Sequence, residues 1–245
     1  MKNMSDLNSV IIVGATSGIG KALALKYLSL GVKTGITGRR LSELNSIKDQ
    51  YPENCFLSNF DICELHAENH LYTLAKEMGE IDLIIVNSGV GNYNPRNIIE
   101  IDLQTIETNV VGFTRMAKAG FRIFLEQGFG HLVGISSVAG NFGYGRAAAY
   151  NASKAYVSNY LSGLRHRGKL SKKKIHVTDV QPGFIQTPLI DNRKEAFGII
   201  SAEEFAEITV KQLRKKPRRI IVPFRWFWAV LVLKILPDWL IQKYS

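Results

Sequence analysis

Short apolar runs alternate with longer amphipathic segments along most of the chain. The first run, Ser9–Val13, is nearly continuous in apolar residues, as is typical of a strand buried on both faces of a sheet. The segment after it carries Leu23, Tyr27 and Leu30 at helical spacing and ends at Gly31. The predicted strands are Ser9–Val13, Lys33–Thr37, Asn54–Leu57, Ile81–Val86, His131–Ile135, Ile175–Val180 and Arg219–Val222. The predicted helices are Ile19–Leu30, Leu41–Gln50, Glu64–Met78, Leu103–Gln127, Ala148–Leu164 and Ala202–Leu213.

This alternation predicts an α/β fold, a Rossmann-type doubly wound parallel sheet of about seven strands with helices on both faces. Parallel strands need crossover connections, which are almost always right-handed. No linker, repeat or low-complexity segment divides residues 1–222, so we predict a single domain there. Because ligands of such sheets bind at the carboxyl ends of the strands, the residues directly after each strand indicate the function.

Composition excludes several classes of protein. The chain has 245 residues, of which 46% are hydrophobic and 21% charged, so it is not disordered, collagen-like or a coiled coil. Cys55 and Cys63 are too few for a disulfide framework, and no Cys/His cluster has metal-ligand spacing. We therefore expect no metal site, no secretory signal and a reducing, cytoplasmic compartment. His66 and His70 are interpreted as surface residues of one helix, because no third ligand is evident.

A glycine-rich turn follows the first strand. Glycines permit a tight turn and a close approach of backbone to a phosphate, and the next helix directs its N–H groups at an anion. Many such turns contain glycine only for its positive φ, so the turn alone is weak evidence. Its place between the first strand and the first helix favours dinucleotide binding by Gly14, Thr16, Ser17, Gly18, Ile19 and Gly20.

Two arginines and no acid follow the second strand. An acid there would accept a hydrogen bond from a ribose 2′-hydroxyl, whereas Arg39 and Arg40 suit a 2′-phosphate. The sequence therefore predicts NADP(H) in preference to NAD(H). In the alternative interpretation, the two arginines only begin a solvated helix.

Ser137, Tyr150 and Lys154 form a candidate catalytic group. Ser137 closes the fifth predicted strand, while Tyr150 and Lys154 lie four residues apart on one face of the next helix. A free phenol has a pKa of about 10, and a cation beside it lowers that pKa toward the range of general acid–base catalysis. Ser137 can donate a hydrogen bond to a carbonyl oxygen. A Tyr/Lys pair at this spacing also occurs by chance, but the serine makes the group more specific.

The order of these motifs resembles that of the single-domain short-chain dehydrogenase/reductase family over residues 9–222. The glycine turn matches the family's TGxxxGIG loop, with Val13 in place of the usual threonine. Val86 and Ser88 depart from its NNAG segment, which bears on fine geometry and not on the reaction class. The matching tetrad is Asn109, Ser137, Tyr150 and Lys154. The further positions that match its cofactor site are Asp61, Ile62, Asn87, Ser88, Gly89, Pro182, Gly183, Ile185 and Thr187.

The resemblance implies a role for each of these residues. Tyr150 would be the general acid in carbonyl reduction and the base in the reverse direction. Lys154 would lower the pKa of Tyr150 and bind the nicotinamide ribose, and Ser137 would stabilise the substrate oxygen. Asn109 would hold a water that passes protons toward Lys154. Asp61 would contact adenine, while Ile185 and Thr187 would contact the carboxamide.

The residues after Ser137 indicate an apolar substrate. The segment Gly140–Gly145 contains Phe142 and Tyr144, and it should face the substrate. Further apolar side chains follow the sixth strand and flank a predicted lid between residues 187 and 201: Phe184, Leu189, Ile190 and Phe197. We therefore expect a hydrophobic ketone or secondary alcohol, although ordinary core packing would explain about half of these side chains.

Residues 223–245 form a predicted apolar helical extension. Between Trp226 and Leu236 only Lys234 is polar, so the helix must bury most of its surface against its own core, a partner subunit or a membrane. The net charge is +10, and two acid-free basic segments, residues 165–174 and 211–219, contribute to it. Trp226, Trp228 and Trp239 beside a basic segment suit peripheral contact with anionic lipid.

The leading hypothesis is an NADPH-dependent carbonyl reductase or alcohol dehydrogenase. The alternative is a non-catalytic NADP(H)-binding regulator or membrane-associated scaffold, against which the intact Ser137, Tyr150 and Lys154 argue. Nucleic-acid binding is not expected, because no recognition motif accompanies the basic segments. The resemblance also implies a homodimer or homotetramer joined through the helices that carry Asn109 and Tyr150.

Overall fold

The computed structural model describes residues 7–187 and 198–235. The strands within these residues are β1 Ser9–Val13, β2 Lys33–Gly38, β3 Cys55–Asn59, β4 Leu83–Val86, β5 Phe129–Ile135, β6 Lys174–Pro182, β7 Ile185–Gln186, β8 Ile200–Ser201 and β9 Arg219–Val222. The helices are α1 Gly18–Ser29, α2 Leu41–Gln50, α3 Glu68–Met78, α4 Ile99–Ile106, α5 Phe113–Gln127, α6 Ala148–Leu170, α7 Ala202–Leu213 and α8 Arg225–Ile235, with a π-helical segment, Glu107–Gly112, between α4 and α5.

Seven of the strands form one parallel sheet in the order β3-β2-β1-β4-β5-β6-β9. Chain order reverses between β1 and β4, where Val10 pairs with Leu83 and Val13 with Val86. Such a reversal opens a crevice above the carboxyl ends of the two strands. The predicted Rossmann-type doubly wound sheet is confirmed. The short parallel pair β7–β8 lies outside it and was not predicted.

Two hydrophobic clusters, one on each face, bury the sheet. On one face, Leu23 and Tyr27 of α1 and Phe205 of α7 pack with alternate residues of the central strands. On the other face, Phe113 and Phe124 of α5 pack with α3 and α6. Because both faces are covered, the central strands are apolar at nearly every position, which is why they were recognisable as continuous runs.

The predicted elements all exist, but several boundaries were wrong. Helix α3 begins at Glu68 and not at Glu64, because His66 has a φ of 62°, a left-handed conformation that no helix continues through. His66 is therefore a turn residue, whereas His70 lies in α3 and stacks on Phe60. Helix α6 continues six residues beyond the predicted Leu164, to Leu170, so the first basic segment begins on a helix.

The predicted helix Leu103–Gln127 begins earlier and is irregular. Helix α4 starts at Ile99, with Glu100 and Asp102 in its first turn, where acids stabilise the positive end of the helix. The π-helical segment then inserts a wider turn around Asn109, and α5 ends at Gly128 in the left-handed conformation. The wider turn could not be predicted from apolar spacing alone.

Helix α8 forms the described part of the predicted extension. It packs on β9 and on the turn Val138–Asn141 at the carboxyl edge of the sheet. Val230 is buried, whereas Phe224 and Trp228 are 65% and 59% exposed. No helix within residues 7–187 and 198–235 is long and apolar enough to cross a membrane. Trp239 lies outside the described residues.

Candidate active site

A groove with a volume of about 460 Å³ crosses the carboxyl edge of the sheet. Its walls are the segments that follow β1, β2, β3, β4, β5 and β6. All of the predicted site residues line it except Gly20 and Asn109, which lie directly behind it. Sequence reasoning missed six lining residues: Gly38, Phe60, Val90, Thr108, Ile135 and Ser136. Each lies within two residues of a predicted residue, and all but Thr108 lie at or shortly after the carboxyl end of a strand, so strand-end position was the available signal for those five.

The glycine turn forms one end of the groove. Gly14 has a φ of 89°, and a β-carbon at Gly20 would lie 1.9 Å from the Gly14 carbonyl oxygen, so only glycine fits there. Helix α1 begins at Gly18 with no acid in its first turn, and the Ser17 side chain makes no capping bond within the described chain. The N-terminus of α1 therefore presents its N–H groups to the groove, as an anion-binding site requires.

Arg39 and Arg40 stand at the same end. Arg40 donates to the Thr16 hydroxyl from Nη2 at 2.8 Å and from Nε at 3.2 Å. Arg39 Nη1 lies 3.3 Å from Asp61 Oδ2, and its side chain is largely exposed. Burial raises the pKa of Asp61, but the Cys63 backbone N–H and the Arg39 guanidinium outweigh it and lower that pKa overall. Both arginines thus line the glycine-turn end of the groove.

The segment after β4 closes the floor of the groove. Asn87 Nδ2 donates to the Gly14 carbonyl at 2.8 Å, which ties this segment to the glycine turn. A β-carbon on Gly89 would lie 3.1 Å from Asn109 Oδ1 and 3.3 Å from Lys154 Nζ. The motif therefore brings the glycine turn and two members of the predicted tetrad, Asn109 and Lys154, within contact of one short segment.

Asn109 is 1% exposed and bonds to protein on every side of its amide. Its Nδ2 donates to the Val90 carbonyl at 2.8 Å and to Ser153 Oγ at 3.0 Å, while its Oδ1 accepts from the Val90 N–H at 2.8 Å. The π-helical turn aims the side chain at this segment. In this structure Asn109 acts as a brace between the β4 segment and α6, and the water-holding role implied by the resemblance stays a prediction.

Ser137, Tyr150 and Lys154 meet at the other end of the groove. Lys154 is 7% exposed, donates from Nζ to the Ile135 carbonyl at 3.2 Å, and lies 5.8 Å from the centre of the Tyr150 ring. Ser137 Oγ accepts from the Ala139 N–H at 3.1 Å, and it also forms a hydrogen bond with the Tyr150 side chain. The three side chains therefore converge as the spacing predicted.

The titration of this group differs from the expectation. Burial raises the pKa of Tyr150, and the hydrogen bond with Ser137 lowers it only in part. Burial also lowers the pKa of Lys154 to about 8, against the opposing effect of the Asp179 carboxylate. The expected lowering of the Tyr150 pKa by Lys154 is not found in this structure, where burial of the phenol outweighs the Ser137 hydrogen bond.

Helix α8 packs against the segment after β6, beside the groove. The Phe184 and Trp226 rings meet edge to face with centres 5.2 Å apart, and a β-carbon on Gly183 would lie 2.2 Å from the Trp226 ring. The Trp226 Nε1 atom is buried and has no hydrogen-bond partner among the described residues. Asn141 bonds back to the Val138 carbonyl and to Gln181, so part of the predicted substrate loop is fixed. Leu189, Ile190 and Phe197 lie outside the described residues.

Comparison with known proteins agrees with this geometry. A family model described as short chain dehydrogenase matches residues 8–197. An NADP-dependent 3-hydroxy acid dehydrogenase of Escherichia coli is 32% identical over 180 residues, which are 72% of each chain. An uncharacterized oxidoreductase of Mycobacterium tuberculosis is 30% identical over 247 residues, covering 96% of each chain.

A solved structure shares the fold. A short-chain dehydrogenase/reductase of Burkholderia phymatum in complex with NAD superposes with a TM-score of 0.83 at 22% identity, covering 92% of each chain. At that identity the likeness supports the fold alone, whereas the family model and the sequence relatives also establish family membership. This chain therefore belongs to the short-chain dehydrogenase/reductase family of oxidoreductases.

Proposed function

We propose that the protein is an NADP(H)-dependent reductase or dehydrogenase that interconverts a hydrophobic ketone and its secondary alcohol. One observation carries the proposal: Ser137, Tyr150 and Lys154 converge at one end of a groove whose other end is a glycine turn at a free helix N-terminus. A binding module has no need of a tyrosine held between a serine and a buried lysine. The non-catalytic scaffold is therefore the weaker candidate.

The groove fits a dinucleotide on two structural grounds. The turn has no side chain at Gly14, Gly18 or Gly20, which permits close approach of its backbone to a pyrophosphate, and α1 begins without an acid. When bound, the nicotinamide supplies the hydride. Asn87, Ser88 and Gly89 would hold the middle of the cofactor, and Pro182, Gly183, Ile185 and Thr187 would surround its nicotinamide end.

NADP(H) is preferred in this proposal over NAD(H). Arg39 and Arg40 are the charged side chains after β2, and Arg40 already bonds the Thr16 hydroxyl, which leaves its remaining N–H groups for a 2′-phosphate. The name of the Escherichia coli relative includes NADP dependence. Tighter binding of NADH than of NADPH by the wild-type protein would contradict this preference.

The proton chemistry belongs to Tyr150. In reduction its phenol donates a proton to the carbonyl oxygen, and in oxidation its phenolate accepts the proton of the alcohol. Ser137 stabilises the charge that develops on that oxygen, and Lys154 supplies a cation next to the phenol. The raised pKa of Tyr150 keeps the phenol protonated at neutral pH, which suits the reductive direction.

An apolar substrate is supported by the aromatic pair Phe184 and Trp226, whose Trp226 ring packs against Gly183, a residue that lines the groove. The Escherichia coli relative is named for 3-hydroxy acids, so those acids belong in any substrate panel beside lipid-like ketones and alcohols. Peripheral contact of α8 with anionic lipid and assembly into a homodimer or homotetramer complete the proposal. Cytoplasmic location stays a prediction.

Turnover by the wild type and by Tyr150→Phe tests the function. We expect NADPH oxidation with at least one apolar ketone in the panel, and a loss of about 100-fold or more in kcat in the variant. The NADPH dissociation constant should change little, because the variant keeps the ring and loses only the hydroxyl. Binding of NADPH without turnover by the wild type, across the whole panel, would favour the scaffold instead.

A further inference from the structure

A buried carboxylate lies beneath the predicted catalytic residues. Asp179 of β6 is 2% exposed, and it pairs in the sheet with Gly134 of β5 and with Arg219 of β9. A buried carboxylate is costly unless it is hydrogen-bonded and paired with charge. Asp179 meets both conditions: the Ser136 hydroxyl donates to its Oδ1, and Gln181 Nε2 donates to its Oδ2 at 2.8 Å.

These partners lead directly to the groove. Ser136 lines the groove and precedes Ser137, so its bond to Asp179 holds the backbone from which Ser137 projects. Gln181 continues the network to the Asn141 side chain, 3.4 Å away, and therefore to the turn after Ser137. On the other side of Ser136, the Ile135 carbonyl accepts the hydrogen bond of Lys154.

Three cations surround this single acid. Arg219 of β9 has its Nε 3.9 Å from Asp179 Oδ2. The negative charge of Asp179 also acts to raise the pKa values of Lys154 and Arg165, both on α6. Arg218 and Arg219 in turn repel Arg165 and lower its pKa, as burial does. The pKa of Lys154, which burial lowers to about 8, is held up by Asp179.

We propose that Asp179 is a positioning residue, which fixes the Ser136–Ser137 backbone through hydrogen bonds and keeps Lys154 a cation through its charge. Its effect on catalysis rests on the proposed function, whereas its effect on Lys154 does not. Asp179 does not line the groove, whereas its hydrogen-bond partner Ser136 does, so its effect on the reaction passes through other residues.

Titration of Lys154 tests the electrostatic part directly. In protein labelled with ¹³C-lysine, the Cε signal that is missing from Lys154→Met reports the charge of Lys154 without cofactor or substrate. We expect a midpoint near pH 8 in the wild type. Asp179→Asn keeps the shape and one acceptor but removes the charge, so the midpoint should fall by roughly one pH unit.

A second variant makes the opposite prediction. Arg219 is half exposed on β9, so Arg219→Gln should fold even where Asp179→Asn does not. Removing this cation leaves more of the Asp179 charge to act on Lys154, and the midpoint should rise. Asp82→Asn is the control, because Asp82 likewise accepts two hydrogen bonds, from the backbone N–H groups of Asn8 and Ser9 at 2.9 and 3.2 Å, but lies at the amino edge of the sheet. An unchanged midpoint in Arg219→Gln, or in a folded Asp179→Asn, would overturn the proposal.

Kinetics separate this role from general loosening of the fold. Where the wild type turns over, Asp179→Asn should lower kcat about tenfold and move the alkaline limb of the reductive pH profile to lower pH, with the NADPH dissociation constant within about threefold. Loss of kcat with an unmoved pH limb would show a merely structural residue. Absence of wild-type turnover would contradict the proposed function, and the Lys154 titration would still decide the role of Asp179.

Discussion

At the scale of single residues, burial favours the neutral forms of both Tyr150 and Lys154, the two titratable members of the predicted catalytic group. It raises the pKa of Tyr150 and lowers that of Lys154 to about 8. Near neutral pH the result is a protonated phenol beside a lysine that is still mostly charged. That combination is suited to giving a proton to a developing alkoxide, and the opposite reaction must first deprotonate the phenol.

The pH profile of reduction should follow from these two groups. Tyr150 remains a proton donor below its raised pKa, so the acid limb should be flat between about pH 6 and 7.5. Lys154 loses its charge as the pH rises through about 8, so kcat/KM for the ketone should fall there. Initial rates with NADPH in constant-ionic-strength buffers provide the measurement. A reductive rate that increases from pH 7 to 9 would contradict this assignment.

Residues whose chemistry sits at a strand end were predictable from sequence, and residues that act through long-range contacts were not. Arg39 follows a predicted strand, and Tyr150 and Lys154 lie near the start of a predicted helix, so the sequence already places all three near the carboxyl edge of the sheet. Asp179 is the single acid in a strand of mixed polar and apolar residues, and Ser136, its hydrogen-bond partner, is 43 residues away. The raising of the Tyr150 pKa by burial likewise required coordinates.

At the scale of elements, the irregular turn between α4 and α5 is what places Asn109. A regular helix through the same segment would rotate this side chain away from Val90 and Ser153, because successive residues turn by about 100°. Apolar spacing predicted one continuous helix there. The wider turn accompanies hydrogen bonds between the Asn109 side chain and Val90, in the segment after β4. Such long-range bonds do not alter the spacing of apolar residues, so the sequence pattern could not predict them.

Removal of this brace should destabilise the protein and loosen the groove. Asn109→Ala leaves the Val90 N–H and carbonyl without their partners, so we expect the free energy of unfolding to fall by about 2–4 kcal/mol. NADPH affinity should fall as well, since the β4 segment forms the floor of the groove. Urea unfolding and fluorescence titration with NADPH measure the two effects.

Asn159→Ala is the matched control for this substitution. Asn159 is an exposed asparagine on α6, and its replacement should change stability by less than about 0.5 kcal/mol. Equal effects of the two substitutions would show that the hydrogen bonds of Asn109 contribute nothing specific.

At the scale of the whole molecule, α4 and α6 present a surface that a second copy would bury. Ile99, Leu103 and Ile106 recur at helical spacing on α4 and are 61%, 56% and 42% exposed. On α6 the exposed positions include the small residues Ala152 and Ala155, which permit close approach. Leu103→Lys should therefore shift the protein from dimer or tetramer toward a 27.4 kDa monomer in light scattering after size exclusion.

Leu65→Lys is the control for the assembly, because Leu65 is 80% exposed and lies before α3, outside α4 and α6. It should leave the assembly unchanged. A wild-type protein that is monomeric at tens of micromolar, or a control that dissociates equally, would remove α4 and α6 as the interface.

The apolar helix α8 and the basic segment 211–219 lie at opposite edges of the sheet. This separation affects how each of them would contribute to membrane binding. Strand β9 runs from Arg219 to Val222, so the basic segment is at the amino edge and α8 at the carboxyl edge, about 10 Å apart along the strand. That separation is close to the Debye length of about 10 Å at 0.1 M salt. Lipid contact through α8 should therefore depend mainly on its aromatic side chains and only partly on salt.

Flotation of the full chain with anionic liposomes measures this contact. We expect flotation of the wild type, a partial loss when NaCl rises from 50 to 500 mM, and nearly complete loss in Phe224→Ser/Trp228→Ser, since both rings are exposed at helical spacing. Leu170→Ser, at a leucine that is 82% exposed at the end of α6, should float like the wild type. If the double variant floats unchanged, α8 does not bind lipid. A change in assembly mass without flotation would assign its apolar side to a second copy instead.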